Sequence, residues 1–392
     1  MSVSTQPART RRRSTVTVSP VRTWRERREF FHFPWKLYQN DPNWVPPLRG
    51  ENWGLIGYGH HPFYDDAEAQ TFLARRGGEV VGRVSAILNH AHNREFPSDP
   101  LGFFGFFESI DDQDVADGLL EAVREWFAAR DIHVLRGPAN PSLTYEFGVL
   151  IQGHDSPPTF MLSHTPLYYD RLIENFGYRK AQDMLAYSGH MRQMPELEGR
   201  LGQIADQVAE RYDVQIRSMD RSKFRADVET FLQMYNASMV LTWGFVPISP
   251  SEIRHMAASL RFLIDPDMAL IATVEGKPAG VILCLPDFNP RIKQIDGRLF
   301  PFGFLKLLSR KREIRRVRVI AINVLPEFQR LGVGLVLMRS LVPRAVKLGI
   351  DEAEFSWVLE SNEMARLGLE KGGAQHTKTW RMYDYRPDDG ER

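Results

Sequence analysis

Apolar and polar positions along the chain alternate between strand and helix spacing, and they do so twice in the same order. AQTFLARRGGEVVGRVSAIL, residues 69–88, reads as two strands around a Gly77-Gly78 turn, and GFFGFFESI, 102–110, as a third. Residues 115–131, VADGLLEAVREWFAARD, carry apolar positions at helical spacing. VLRGP (134–138) is a short strand, YYDRLIENFG (168–177) a helix closed by its glycine, and a strand follows through Tyr187. The second half repeats this series. VQIRSM is a strand, residues 223–236 and 249–262 are helices, and ALIATVEGKPAGVILCL (269–285) repeats the hairpin, with Gly276 and Gly280 where the first has Gly78 and Gly82. An apolar strand VRVIAINVL (317–325), a helix at 335–349, the strand EAEFSWVLE (352–360), the helix NEMARLGLEKGG (362–373) and a last strand through Tyr383 complete it. Glu174/Glu370, Gly177/Gly373 and Tyr187/Tyr383 share an offset of 196. The pattern predicts two copies of one α/β unit with a mixed sheet, residues 30–190 and 213–386, joined by a helix-like linker within 191–212.

Outside that repeat, residues 1–29 are rich in Ser, Thr and Arg and are expected to form a disordered basic tail, without the apolar core of a signal peptide. FFHFPWKLYQNDPNWVPP (30–47) is aromatic and proline-rich and is expected to pack irregularly on the first copy; 387–392 is a short tail. Hydrophobic residues make up 43% and charged residues 25%, a globular balance, and the net charge of +1 gives no global field for nucleic acid. One cysteine, Cys284, rules out an internal disulfide and fits a reducing, cytoplasmic setting. No apolar run approaches the ~20 residues of a spanning helix. His60-His61 and His90-x-His92 have no cysteine or acidic partners at ligand spacing, so solvated or capping roles are expected and no metal.

The junction PEFQRLGVG, Pro326–Gly334, carries the candidate chemistry. A buried strand enters a turn with two glycines and then a helix. A helix N-terminus presents unpaired N–H groups and a partial positive charge. Glycines let the backbone close on a phosphate without a Cβ in the way. Gln329, Arg330, Leu331, Gly332, Val333 and Gly334 can therefore cradle a pyrophosphate, with Arg330 adding charge. A glycine-tightened turn is the structural alternative. The spacing is neither a Walker loop nor the dinucleotide fingerprint.

The pattern Val-x-Pro-x-x-Gln-Arg-x-Gly-x-Gly, Val324–Gly334, resembles the acyl-CoA-binding motif of GNAT-type N-acyltransferases. Asn362-x-x-Ala365 with Glu370, Lys371 and Gly373 resembles that fold's second signature helix. The resemblance covers about residues 213–386. It implies tandem GNAT-like domains, a CoA pyrophosphate at Gln329–Gly334, pantetheine along Ile322 and Val324, Asn362 on the far side, and the Val324 N–H polarising the thioester carbonyl. Where many GNAT enzymes carry a tyrosine general acid, this chain has Leu369. A thiolate of pKa about 8.5, by analogy with cysteine, can leave unprotonated. The attacking amine still needs a base. Glu360, closing its strand, and Asp287, in LPDFN, are the candidates; capping and turn formation are their structural alternatives. In the first copy Asp111, Asp112 and Asp114 fall in the phosphate loop and would repel a pyrophosphate. That copy is expected to be degenerate. RGPANPSLTYEFG, Arg136–Gly148, is either a surface loop or a segment that reaches the other half.

Residues 291–318 hold ten Lys/Arg and two Asp/Glu around the apolar LFPFGFLKLL. Either a helix packed on its own domain or peripheral contact with an anionic membrane fits this insertion. FPWKLYQNDPNWVPPL, FGFFESIDD, RGPANPS, TWGFVP, LPDFN, GRLFPFGFLKLL and SWVLESN resemble the bacterial ceramide synthase-like acyltransferases, over nearly the whole chain after residue 30. That resemblance implies acyl transfer from a long acyl-CoA to a sphingoid-type amine. A GNAT enzyme on a soluble amine or peptide, and a non-catalytic acyl-CoA-binding protein, are the alternatives.

Overall fold

Two antiparallel meanders lie edge to edge in one continuous sheet. The computed structural model describes residues 15–190, 194–240, 242–309 and 311–387. β1 (Val16–Pro20) leads into α1 (Trp24–Leu37) and α2 (Arg49–Leu55). The hairpin β2 (Ala67–Arg76) and β3 (Glu79–Asn89), α3 (His90–Glu95), β4 (Gly102–Ser109), α4 (Gln113–Ala128) and β5 (Leu135–Gly137) follow. β6 (Ala139–Asn140) and β7 (Glu146–Phe147) make a small ribbon, then come β8 (Val149–Gln152), α5 (Tyr169–Phe176) and β9 (Arg179–His190). The second pass is α6 (Met194–Arg211), β10 (Val214–Ser218), α7 (Phe224–Met239), α8 (Pro250–Leu260), β11 (Ala269–Val274) and β12 (Lys277–Pro286). The insertion forms α9 (Asn289–Gln294) and α10 (Gly303–Leu308). β13 (Arg316–Val324), α11 (Val333–Leu348), β14 (Glu352–Leu359), α12 (Glu363–Lys371) and β15 (Gln375–Tyr385) close the chain.

The sheet order is β1-β2-β3-β4-β5-β15-β9-β14-β13-β12-β11-β10, with β8 also on β15. Among the described residues, only β4–β5 and β13–β14 pair in parallel. The two copies exchange their last strands. β9, from the first pass, pairs with β14 of the second, and β15 pairs with β5 and β8 of the first. The halves are therefore continuous through β15–β9, the pair that joins the two exchanged strands.

Helices cover both faces of each half. The stripe Val115, Leu119, Val123 and Phe127 of α4 is spaced at four residues and lies fully buried on the first half, beside α5. Val333, Leu337, Leu341 and Ala345 of α11 do the same on the second, where α6 packs alongside through Ala205 and Val208. Phe231 and Met234 of α7 cover the opposite face.

Three expectations change here. Residues 16–29 are not a solvated tail: β1 pairs with β2, and Thr23 and Glu26 form a capping box that starts α1. Residues 1–14 and 388–392 lie outside the described residues. The stretch from Phe30 is a helix through Leu37 despite Pro34, because Phe30, Phe31 and Phe33 bury one apolar side. The linker expected within 191–212 is α6, an integral layer of the second half.

Candidate active site

β13 and β14 pair only from Arg316↔Glu352 to Val319↔Phe355. Beyond that point β14 continues on β9, and β13 keeps β12 alone. A wedge-shaped gap opens between the two parallel strands. On the β12 side, Leu325 N–H donates to the Ala279 carbonyl at 2.9 Å, and the register runs Val324↔Gly280, Asn323↔Val281, Ile322↔Ile282. Alternation of an antiparallel ladder makes Val324 and Ile322 non-hydrogen-bonded positions. Their N–H and C=O groups thus point away from β12, into the gap. Ile320 is the extra residue of a bulge, since Val319 and Ala321 face adjacent residues Cys284 and Leu283.

At the mouth of the gap, a 3-10 turn Pro326–Leu331 leads to Gly332 at φ 85°, ψ 15°, and α11 starts at Val333. Only the left-handed region turns the chain this sharply, which is glycine's region. An added Cβ at Gly332 would also lie 3.2 Å from Val208 of α6. Gln329 donates to the Val324 carbonyl at 3.2 Å, tying the turn to the strand end. Arg330 is exposed and has no partner among the described residues. Val333 and Gly334 open the helix, so their N–H groups have no intrahelical acceptor.

Asn362 caps α12, its Oδ1 accepting from Ala365 N–H at 3.1 Å. Its Nδ2 has no partner among the described residues. Leu369 packs in the core beneath α12, where Tyr187 of β9 donates to Glu370 at 2.9 Å. The two base candidates stand apart from the gap's apex. Glu360 receives Lys180 Nζ at 2.6 Å on one oxygen and Asp183 N–H at 3.1 Å on the other. Asp287 is buried level with Arg316, about 13 Å below the bulge at ~3.3 Å per residue. It accepts from the Phe160 and Asn289 N–H groups, and burial pushes its carboxyl up to about 6, against the lowering effect of those bonds and Arg316.

The counterpart gap in the first copy is closed. Gly82↔Ser109 corresponds to Gly280↔Val324, and Ser109 N–H, the equivalent of the outward-facing Val324 amide, donates to Tyr169 Oη at 2.9 Å. Asn140 of the ribbon accepts from Phe106 N–H at 2.6 Å. Of the three carboxylates expected to repel a pyrophosphate, Asp112 pairs with Arg76 at 2.8 Å and Asp111 with Arg171, while Asp114 stands in the first turn of α4. Tyr169 and the ribbon close that gap sterically as well.

An acetyltransferase (GNAT) family model matches residues 231–368, the segment that holds the gap, α11 and the start of α12. The chain is 34% identical over 378 residues to the "Bacterial ceramide synthase" of Caulobacter vibrioides (strain NA1000 / CB15N), covering 94% of this chain and 97% of that protein. The chain belongs to the bacterial ceramide synthase-like family of tandem GNAT N-acyltransferases. It is also 34% identical over 364 residues to "Protein YghO" of Escherichia coli (strain K12), covering 91% of each. A tandem GNAT protein from the clavulanic acid biosynthesis pathway shares the fold, at TM-score 0.54 and 12% identity, over 95% of this chain and all of that one.

Sequence reasoning missed what this acyltransferase places at the apex of the gap. Arg318 is buried, stacks under Trp357 at 4.9 Å, and donates to Ser356 Oγ on β14 and to the Phe160 and Met161 carbonyls. Burial lowers its guanidinium to about 10, opposed by Glu354, Glu146 and Asp287. A single arginine within an apolar strand was the available signal. The segment Arg136–Gly148 does reach the other half. Tyr145 donates to Glu252 of α8 at 3.0 Å, and the Phe147 and Trp357 rings lie 4.0 Å apart. His61 is buried rather than solvated, and its Nδ1 caps a turn by accepting from Phe63 N–H at 3.2 Å. Glu51 of α2 and His255 of α8 converge on it. His61 Nε2 lies 3.9 Å from Glu51 Oε1 and has no hydrogen-bond partner among the described residues.

In the insertion, Phe300, Phe302, Phe304 and Leu305 are exposed, Phe300 at 83%. Much of its charge is committed: Arg315 pairs with Asp351 at 2.9 Å, Arg316 with Glu354 at 2.9 Å, and Lys311 with the Phe262 carbonyl. Arg310 and the Arg312 side chain lie outside the described residues. None of the helices among the described residues is long and apolar enough to cross a membrane.

Proposed function

We propose that this N-acyltransferase takes its acyl group from acyl-CoA bound once per chain, in the second half, and delivers it to an amine on a lipid. The observation that carries the donor reading is the outward-facing backbone of Ile322 and Val324 in an unpaired gap, directly ahead of the left-handed Gly332 turn. A pantetheine chain would pair with that backbone as a strand would. Gln329–Gly334 would hold the pyrophosphate through the N–H groups opening α11 and through Arg330. Asn362 Nδ2 would meet the pantetheine from the far side, and Val324 N–H would stabilise charge on the thioester oxygen. Glu360 is too engaged, and Asp287 too remote, to support a base role for either.

Two observations favour a lipid acceptor: the exposed aromatic corner of the insertion, and the similarity to a protein named a ceramide synthase. Phe300, Phe302, Phe304 and Leu305 would enter the headgroup region of the membrane as apolar anchors. The test is mass spectrometry of products after incubating the protein with acyl-CoAs of several lengths and a bacterial lipid extract. The expected result is N-acylated lipid amine with release of CoA. No product from any amine would overturn the donor reading. Equal turnover of a water-soluble amine with acetyl-CoA, without lipid, would overturn the lipid part alone.

A further inference from the structure

Glu146 sits on β7, between two anchors that the first half sends into the second: Tyr145 on Glu252 and Phe147 on Trp357. It is half-buried, and no hydrogen bond or ion pair holds its carboxylate among the described residues. The positive charge that acts on it is Arg318. Arg318 alternates with Val317 and Val319, which belong to the α11-side core, so it lies on the α7 face of β13. Its bonds to Ser356 of β14 put it where the two strands part. Phe147, the next residue, meets the Trp357 ring at 4.0 Å, and that ring covers Arg318 at 4.9 Å, so β7 brings Glu146 to the apex of the gap, on the face opposite the phosphate turn. An amine must approach from that face, because the phosphate turn occupies the other. Trp357 Nε1 is buried with no hydrogen-bond partner among the described residues, a donor left open.

We infer that Glu146, supplied by the half that has no open donor gap, takes the proton of the acceptor amine. This rests on the donor reading given above. The ammonium passes one proton to the Glu146 carboxylate, and the freed nitrogen lone pair forms the C–N bond at the thioester carbon. The C–S bond then breaks. The thiolate takes the proton that Glu146 holds, which restores the carboxylate, and the second amine proton goes to solvent, so one amide, one thiol and one proton leave. Burial raises the Glu146 carboxyl to about 6, with Arg318 lowering it and Glu108 raising it. Arg318 is itself faced by Glu354, Asp287 and Tyr235. A base of that strength is charged at neutral pH and still binds a proton well.

The experiment is the pH–rate profile of wild type, Glu146→Gln and Glu146→Asp, with acyl-CoA affinity measured in parallel. Wild type should lose activity on the acid side through about pH 6. Glu146→Gln should lose roughly 10²–10⁴-fold in turnover and the acid limb with it, while acyl-CoA affinity stays unchanged. Glu146→Asp should recover part of the rate and keep an acid limb, which a packing role would not produce. A flat wild-type profile from about pH 5 to 7, or Glu146→Gln with turnover within about threefold and the limb intact, would overturn the inference. Wild type that binds acyl-CoA yet acylates no amine would overturn it too. Wild type that fails to bind acyl-CoA would remove the donor reading itself.

Discussion

Gly332 and Gly334 stand two residues apart and meet different demands. Gly332 is at φ 85° with Val208 3.2 Å from its missing Cβ, so a side chain there strains the fold, by roughly 1–2 kcal/mol from the backbone alone. Gly334 is within the first turn of α11, where an added Cβ meets only Val324 at 3.8 Å. Gly334→Glu should therefore separate binding from folding. A carboxylate there suits the helix dipole by about 0.3–1 kcal/mol but opposes a pyrophosphate. Acyl-CoA affinity should fall at least about tenfold with Tm unchanged or raised; a variant that binds as wild type would contradict the turn's role. Asp287 makes a second prediction. Its folded value of about 6 lies above the unfolded value near ~3.9, so its stabilising contribution is full below about pH 4 and is lost as pH rises through about 6. Asp287→Asn keeps an oxygen for the Phe160 and Asn289 N–H groups and removes the titration. Relative to wild type it should gain on the order of 2 kcal/mol between about pH 4 and pH 8, read from urea midpoints. An offset that does not change with pH would contradict this. At this scale the glycine turn was legible in sequence because glycine and helix start are local features. Glu146 was not, because its meaning depends on Arg318, which is 172 positions away.

The strands and helices of the repeat followed from local periodicity, and the hairpins, α4, α11 and α12 match within a few residues. β1 and α1 did not, because Ser, Thr and Arg next to a proline look like a tail when the strand and core they pack on are distant in sequence. In the insertion, periodicity found an apolar segment but not which of its neighbours were free. α10 buries Leu307 and exposes Phe304 and Leu305, and the basic residues behind it largely face protein partners. Membrane contact by this element should then depend more on apolar area than on charge. Phe300→Ser with Phe302→Ser should weaken sedimentation with lipid vesicles at least about tenfold, since a buried phenylalanine is worth about 1.5–3 kcal/mol. Raising salt should have the smaller effect. Wild type that stays in the supernatant would show that this corner is not a membrane contact.

For the whole molecule, the decisive feature is the exchange of β9 and β15. Each half completes its sheet with the other's last strand, and the first half adds the ribbon that faces Arg318 and Trp357. Sequence repeats revealed two copies but not the exchange, because pairing between strands far apart in the chain leaves no periodic trace. Cutting within 191–212 should accordingly give fragments that do not fold alone, each lacking an internal strand and exposing unpaired edges. Coexpressed, they should copurify as one complex with a native circular dichroism spectrum. Two fragments that are separately soluble and cooperatively folded would contradict the exchange.

Calorimetric titration of the intact chain with a long acyl-CoA addresses the central claim most directly. One open gap, on β13, and one closed by Tyr169 predict a single site per chain, lost in Gly334→Glu and retained in Asp112→Ala. Two sites per chain, or no binding by folded wild type, would contradict the account.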